Sequence, residues 1–234
     1  MDETDGRHVA EPTRAGVRDT YDRIATHFAS TREYAWPEVE AFVDNHATGR
    51  ESADSRGGVG VDLGCGNCRH AELLASRAGL ECVLGIDVSR GLLETARARA
   101  DERAFDVELL QADAAALPLA DDVVAVGVYV ATLHHLPSRE SRLRSLDELA
   151  RVLEPDGRAL LSVWSTAHDR FDATEGFDTT VEWTLPGGTT VDRFYHIYAP
   201  DEFEADLDAS DLRCLEWELS SGNCYATVAG ADVE

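Results

Sequence analysis

The chain has 234 residues, the length of one α/β domain with additions, and carries 45 acidic against 21 basic residues for a net charge of −24. The sequence contains no Lys, so its basic set apart from histidine is all Arg. Such a charge argues against a nucleic-acid partner in dilute buffer. An acidic, Lys-free composition also looks like that of a halophile's cytoplasmic protein, with an acidic mesophile protein as the alternative reading. In a halophile, salt screens charges beyond a few Å and weakens attraction to phosphate, so acidity reports the solvent more than the partner. The cysteines Cys65, Cys68, Cys82, Cys214 and Cys224 are expected as reduced thiols in a cytoplasmic setting. Cys65-x-x-Cys68 has metal or redox spacing but lies inside a glycine turn, and no second such pair exists, so no metal site is expected. No signal peptide or membrane span is visible.

In chain order, Met1 to about Pro12 is polar and charged and is expected to be mobile. Val17, Tyr21, Ile24 and Phe28 recur at helical spacing, as a helix that packs on a sheet, covers a ligand, or both. Pro37 suits the first turn of a second helix bearing Val39, Phe42 and Val43, and Glu51 to Gly58 reads as a polar loop. Val59, Val61 and Leu63 then alternate as a strand, Gly64-Cys65-Gly66 turns, and Ala71, Leu73, Leu74 and Ala78 mark a helix. Strand, glycine turn and helix open a nucleotide-binding α/β sheet. Gly64 allows the turn, and Gly66 lets a ligand approach the backbone. Three residues after Gly66 stands Arg69 rather than a third glycine, which favours a smaller adenosine-bearing ligand over one with a pyrophosphate.

Gly85-Ile86-Asp87 ends the next apolar run, and Asp87 follows the glycine turn by roughly 20 residues, the spacing from which an acid takes ribose hydroxyls. Gln111-Ala112-Asp113 ends a third run, Val107 to Leu110. Asp62, Asp87 and Asp113 thus fall at the carboxyl ends of three successive strands, the edge where such sheets bind ligands. Taken singly, each is also an ordinary capping or turn aspartate. Ser89 caps a helix bearing Leu92, Leu93 and Ala96. Val123 to Val130 reads as a buried parallel strand. It runs into Thr132-Leu133-His134-His135, expected as extended chain on which adjacent histidines diverge. Leu143, Leu146, Leu149 and Leu153 form a helix that Pro155-Asp156-Gly157 stops, before a fifth strand from Ala159 to Trp164. A hairpin of Val181 to Leu185 and Thr189 to Tyr198 follows, then a helix from Pro200 to Leu207, then a last hairpin of Arg213 to Leu219 and Tyr225 to Ala229.

These features resemble the class I S-adenosylmethionine-dependent methyltransferases. The resemblance implies one domain over 1–234 and an α/β fold. Its Rossmann-like sheet carries helices on both faces, a substrate-side hairpin insertion over 165–199 after the fifth strand, and a C-terminal antiparallel hairpin. It implies S-adenosylmethionine as cofactor, with the glycine loop at the methionine part, Asp87 on the ribose and Asp113 on the adenine amine. The cofactor set it implies is Tyr21, Asp62, Gly64, Gly66, Asp87, Val88, Asp113 and Ala114. Relatives often read Gly-Asn-Gly where this chain has Gly66-Asn67-Cys68. Members that methylate base amines carry an Asn/Asp-Pro-Pro-aromatic motif after the fourth strand, and Thr132-Leu133-His134-His135 does not match it.

Four stretches narrow the resemblance: Tyr21-Asp22-Arg23-Ile24-Ala25-Thr26-His27-Phe28 with Thr31-Arg32, Leu133-His134-His135, Val163-Trp164, and Arg193-Phe194-Tyr195-His196-Ile197-Tyr198. They look like the tRNA wobble-uridine carboxymethyl O-methyltransferases, over roughly Tyr21 to Ala229. Those enzymes methylate the carboxylate of 5-carboxymethyluridine in the anticodon loop. A carboxylate is already a nucleophile at neutral pH, so the site must chiefly hold an anion in line with the methyl group and accept an extruded base. Arg32 and Arg193 suit the carboxylate or anticodon phosphates, Trp164 and Tyr195 suit stacking on the uracil, and His134 or His135 a hydrogen bond to base or acid. Core packing is the competing reading of the aromatics. The resemblance further implies a small zinc-binding activator subunit along the third strand, expected at the sheet edge over Asp106 to Gln111 with Leu92 and Leu93 nearby. A small-molecule methyltransferase and a non-catalytic S-adenosylmethionine- or RNA-binding protein stay open as readings of the residues alone.

Overall fold

The computed structural model of the chain describes residues 12–46, 58–76 and 80–231. The expectations for residues 1–11 and for the loop at 51–57 lie outside the described residues. A seven-stranded sheet is built from β1 (Gly58–Leu63), β2 (Leu80–Asp87), β3 (Glu108–Gln111), β4 (Val124–Val130), β5 (Leu153–Trp164), β8 (Arg213–Ser220) and β9 (Asn223–Ala229). Their order is β3-β2-β1-β4-β5-β9-β8, with β3 at one edge, as the sequence implied, and β8 at the other. Pairing is parallel from β3 to β5 and antiparallel through β9 and β8. The order reverses at β1, which lies between β2 and β4, so the crevice at the carboxyl ends of these strands is where such a sheet takes a ligand.

Both faces are covered. Val39, Phe42 and Val43 of α2 (Pro37–His46), Ala71 and Leu74 of α3 (Arg69–Ala75) and Leu93 and Ala96 of α4 (Arg90–Arg103) pack on one face with Val83, Val126 and Val128. Leu146 and Leu149 of α5 (Arg139–Val152) with Phe203 and Leu207 of α6 (Pro200–Asp208) pack on the other, against Leu63, Ile86 and Leu161. All seven residues of β4 are buried, the pattern of a strand covered on both faces. Each fully buried Leu or Ile contributes on the order of 1.5–3 kcal/mol.

The 17-residue helix α1 (Arg14–Ser30) is seated chiefly on α4 and also touches the hairpin inserted after β5. Asp22 Oδ1 accepts from Ser89 Oγ at 2.6 Å and from the Gly91 N–H at 2.9 Å, an acid on the positive end of α4. A side chain at Gly91 would meet Ala25 and the Asp22 backbone at about 3.0 Å, so glycine sets how closely the helices approach. The insertion after β5 is a separate two-stranded sheet, β6 (Phe177–Thr184) with β7 (Thr190–Ile197), whose Trp183 and Val191 close the apolar cluster around Tyr21, Ile24 and Leu92.

Three expectations need correction. Pro155-Asp156-Gly157 does not separate α5 from a later strand: β5 begins at Leu153, and Glu154 to Gly157 bulge out opposite the Val124–Val126 register shift. Strand β6 begins at Phe177 rather than Val181, because Phe177 to Thr180 pair with Ile197 to Phe194. Leu133–His135 is a single 3-10 turn, not extended chain, and the two imidazoles meet edge to face at 4.5 Å.

Candidate functional site

Two adjoining cavities open at the carboxyl end of β1 and share Tyr21, Phe28, Gly64, Gly66, Ala131, Thr132 and His135. The first has an empty volume of about 780 Å³ and is lined by Gly64, Gly66, Asp87, Val88, Leu92, Asp113, Ala114, Leu136 and neighbours. Gly64 sits at φ 73°, and a side chain there would collide with Thr132 at 2.2 Å. Gly66, at φ 55°, faces open space, so its backbone is bare to a ligand. Asp87 Oδ2 accepts from the Gly66 N–H at 2.9 Å and Oδ1 from the Ser89 N–H at 2.8 Å, which ties the glycine loop to the end of β2. Burial pushes the Asp87 carboxyl up to about 6. Asp113 Oδ1 accepts from the Ala115 N–H, and its Oδ2 meets the Arg14 guanidinium at the start of α1. Asp62 lines neither cavity. It is 1% exposed, accepts from the Ala71 N–H at 2.9 Å and holds the start of α3 in place, and burial pushes its carboxyl up to about 7.

The second cavity, a cleft of about 980 Å³ counting its open mouth, runs past Arg32, Trp36, Arg69, His70, His134, Trp164, His168 and Tyr195. Among the described residues no Asp or Glu lines it, although the chain has 45. The histidine tautomers follow from their partners. The Phe194 carbonyl accepts from His135 Nδ1 at 2.8 Å, so His135 Nε2 accepts from the Tyr21 hydroxyl at 2.8 Å. His134 Nδ1 accepts from the Trp164 N–H at 2.9 Å, which puts the proton on Nε2. Burial lowers His135 to about 4 and holds His134 well below the usual imidazole range, so both are neutral. Burial likewise raises the Tyr21 phenol well above its ordinary value.

The 3-10 turn, β5 and β7 thus bring His134, His135, Trp164 and Tyr195 together, with Tyr195 at 4.4 Å from His135 and 5.3 Å from Trp164 between ring centres. The two arginines chosen from sequence part company. Arg32 lines the cleft with its guanidinium 4.7 Å over the Phe28 ring, and burial lowers its basicity. Arg193 is 7% exposed, donates from Nη1 to the Tyr195 hydroxyl at 2.6 Å, and lies between the Trp183 and Tyr195 rings. It stands behind Tyr195 and outside the cleft lining. Sequence reasoning passed over Asn67, whose amide donates to the Arg32 carbonyl at 2.8 Å and the Ala29 carbonyl at 3.2 Å and so fastens the end of α1 to the glycine loop. It also passed over Trp36, Arg69 and His70. The signal for Asn67 was its place inside the glycine motif. Cys68 holds φ 62° there, the left-handed conformation that relatives fill with glycine.

A family model described as a methyltransferase domain matches residues 61–161. A protein of Encephalitozoon cuniculi that carries a methyltransferase name is 33% identical over 218 residues, covering 91% of this chain and 94% of that protein. The chain belongs to the S-adenosylmethionine-dependent methyltransferases. A tRNA (carboxymethyluridine(34)-5-O)-methyltransferase of Arabidopsis thaliana is 33% identical over 154 residues, 65% of this methyltransferase, which spans a third of that relative's length. The fold matches, at TM-score 0.61 and 17% identity, a chain of the complex between the Haloferax volcanii Trm112 methyltransferase activator and a methyltransferase, covering 93% of this chain and 99% of that one. S-adenosylmethionine is the cofactor, and the first cavity fits it. Asp87 and Asp113 line this cavity and would accept from ribose hydroxyls and an adenine amine, apolar Val88, Leu92 and Ala114 form walls, and the bare Gly66 backbone would lie open to the methionine part. The cofactor supplies an electrophilic sulfonium methyl group, and the shared wall at Thr132 and His135 is where the cleft would meet it. Among the described residues no helix is long and apolar enough to cross a membrane.

Proposed function

We propose that this methyltransferase esterifies the carboxylate of 5-carboxymethyluridine at the wobble position of tRNA. The observation that carries the reading is a cleft with cations and aromatics but no available base. His135 Nε2 is engaged by the Tyr21 hydroxyl, His134 presents a proton rather than a lone pair, His168 Nδ1 accepts from the Arg170 N–H at 3.0 Å, and burial holds His70 at about 3. An amine or hydroxyl nucleophile needs a proton acceptor within hydrogen-bond reach. A carboxylate needs none. In this reading Arg32 would bind one carboxylate oxygen and leave the other free to take the methyl group, which the bound cofactor would supply as a sulfonium methyl and so end neutral at sulfur. The His134 Nε2–H donates to the base, Tyr195 and Trp164 flank the uracil, and Arg193 positions Tyr195. The Arabidopsis relative's name supports the substrate, and the absence of a competing acid in the cleft supports an anion.

The same reading gives the enzyme an activator subunit at β3. This edge strand pairs on one side with β2 alone, and Leu109 and Leu110 are only half-buried. A partner strand would remove an exposed edge. Leu92 and Leu93 do not add to that surface: Leu92 lines the cofactor cavity and Leu93 is buried in the core. The test is labelled S-adenosylmethionine with total tRNA from a wobble-hypomodified strain, with and without the coexpressed activator, followed by nucleoside analysis. An alkali-labile methyl ester on 5-carboxymethyluridine is expected, and label in an alkali-stable nucleoside would contradict the assignment.

A further inference from the structure

The cleft is lined by further residues besides those given to the uracil. Among them the Arg69 guanidinium lies 5.1 Å over the Trp36 ring, with a long contact from Nη1 to the Tyr34 carbonyl at 3.4 Å. Arg32 faces the same space. Other arginines of this chain are treated differently: Arg99, Arg103, Arg139, Arg142 and Arg151 each meet a carboxylate. Arg32 and Arg69 meet none among the salt bridges of the described residues. Burial first, and then the neighbouring Arg32 charge, bring Arg69 down to about 10, so the two cations press on one another. Asp62 acts on Arg69 only through space and lies outside the cleft. Beside them, His70 is 5% exposed, lines the cleft and leaves its Nε2 without a hydrogen-bond partner, with its ring 6.3 Å from Trp36.

Two adjacent guanidiniums with no carboxylate in contact among the described residues, in a chain of net charge −24, form a site short of an anion. The planar fork of each suits the oxygens of a phosphodiester. The flanking indole offers a sequence-tolerant stacking face, and the unpartnered imidazole nitrogen offers a hydrogen bond to a sugar hydroxyl. We propose that Arg69, Trp36 and His70, with Arg32 at the junction, form a second nucleotide subsite that binds the phosphate and base next to the methylated nucleotide in a single-stranded RNA loop. This deepens the tRNA reading and rests on it for the identity of the strand. It also gives the two arginines separate tasks, Arg32 shared between carboxylate and phosphate, and Arg69 given to the backbone alone. A free nucleoside would leave this part of the cleft unfilled.

Binding of a fluorescently labelled anticodon stem-loop RNA carrying 5-carboxymethyluridine, followed across a KCl series, tests the subsite. Arg69→Ala is expected to weaken binding about tenfold and to reduce the slope of log affinity against log salt by about 0.7, one single-strand phosphate contact. Arg69→Lys should restore the slope and only part of the affinity. Trp36→Phe, which keeps an aromatic in place, should weaken binding less than Trp36→Ala, and neither should alter the slope. S-adenosylmethionine affinity by calorimetry reports that each variant is folded. A wild-type slope in Arg69→Ala overturns the subsite. If the RNA binds but no ester forms, the carboxylate reading falls while the slope comparison still decides the subsite. If the wild-type chain binds no RNA, both are overturned.

Discussion

The two cavities that meet at Gly64, Thr132 and His135 follow opposite electrostatic plans. The cofactor side presents the carboxylates of Asp87 and Asp113 and apolar walls. The substrate side presents Arg32 and Arg69, the neutral imidazoles of His70, His134 and His135, and aromatic rings, with no carboxylate among the described lining residues. Acids are therefore excluded from one small region of a strongly acidic chain. In the proposed reading, sorting charge in this way would separate a ligand with hydroxyl, amine and sulfonium groups from an anionic one, with Arg32 holding the nucleophile's charge.

The largest expected effect tests the substrate side. Arg32→Ala removes the cation over Phe28 of the shared wall, and methyl transfer to tRNA should fall by about two to three orders of magnitude, the scale for misplaced reactants. S-adenosylmethionine affinity, measured by calorimetry, should stay at the wild-type value. Arg193→Lys should cost less, because Arg193 acts through the Tyr195 hydroxyl. Its loss should appear in the Michaelis constant as well as the turnover number. Equal losses of cofactor affinity in Arg32→Ala would erase the distinction between the two cavities.

On the cofactor side, Asp87→Ala should lower S-adenosylmethionine affinity at least tenfold, the range for charge-assisted hydrogen bonds at about 1.5–3 kcal/mol. Burial raises this carboxyl to about 6, which fixes the sign of a pH dependence. Ribose donors favour the charged form, so binding should release a proton near pH 6 and weaken as pH falls below it. Asp87→Asn should flatten that profile. In the cofactor-free protein the sign reverses. A carboxyl raised above its unfolded value binds its proton more readily when folded, so its contribution to stability grows as pH falls through 6. Calorimetry in buffers of different ionisation enthalpy measures the released proton directly.

A smaller effect concerns the surface outside both cavities. With 45 acids against 21 arginines, salt should relieve self-repulsion, and the melting temperature should climb through the molar range of KCl. Each ~1 kcal/mol of relief raises it by about 2–4 °C in a chain of this size. A flat profile in scanning calorimetry would remove the halophilic reading.

The cofactor side was legible in sequence because its residues lie at fixed offsets from strand ends, so Gly64, Gly66, Asp87 and Asp113 could be read along the chain. Asp62 shared that pattern, yet it turns under the loop to hold Ala71, a choice that periodicity does not encode. The substrate side was harder. Arg32 comes from the residues after α1, Tyr195 from β7 and Trp164 from the end of β5, and only tertiary packing decides which of them reach the cleft. Arg193 alternates along β7 like Tyr195 and was indistinguishable from a ligand-facing residue until its place between Trp183 and Tyr195 was seen. The histidine pair was misread because a 3-10 turn of three residues leaves no period to detect. Trp36 only precedes the Pro37 helix start and Arg69 only stands in place of a third glycine, and nothing local joins them.

The most direct measurement is methyl transfer from labelled S-adenosylmethionine to two matched tRNAs, one with 5-carboxymethyluridine and one with plain uridine at the wobble position. A cleft that supplies cations but no base predicts ester formation on the first and no transfer to the second. Equal transfer to both, or transfer to a ring or ribose atom of either, would contradict it.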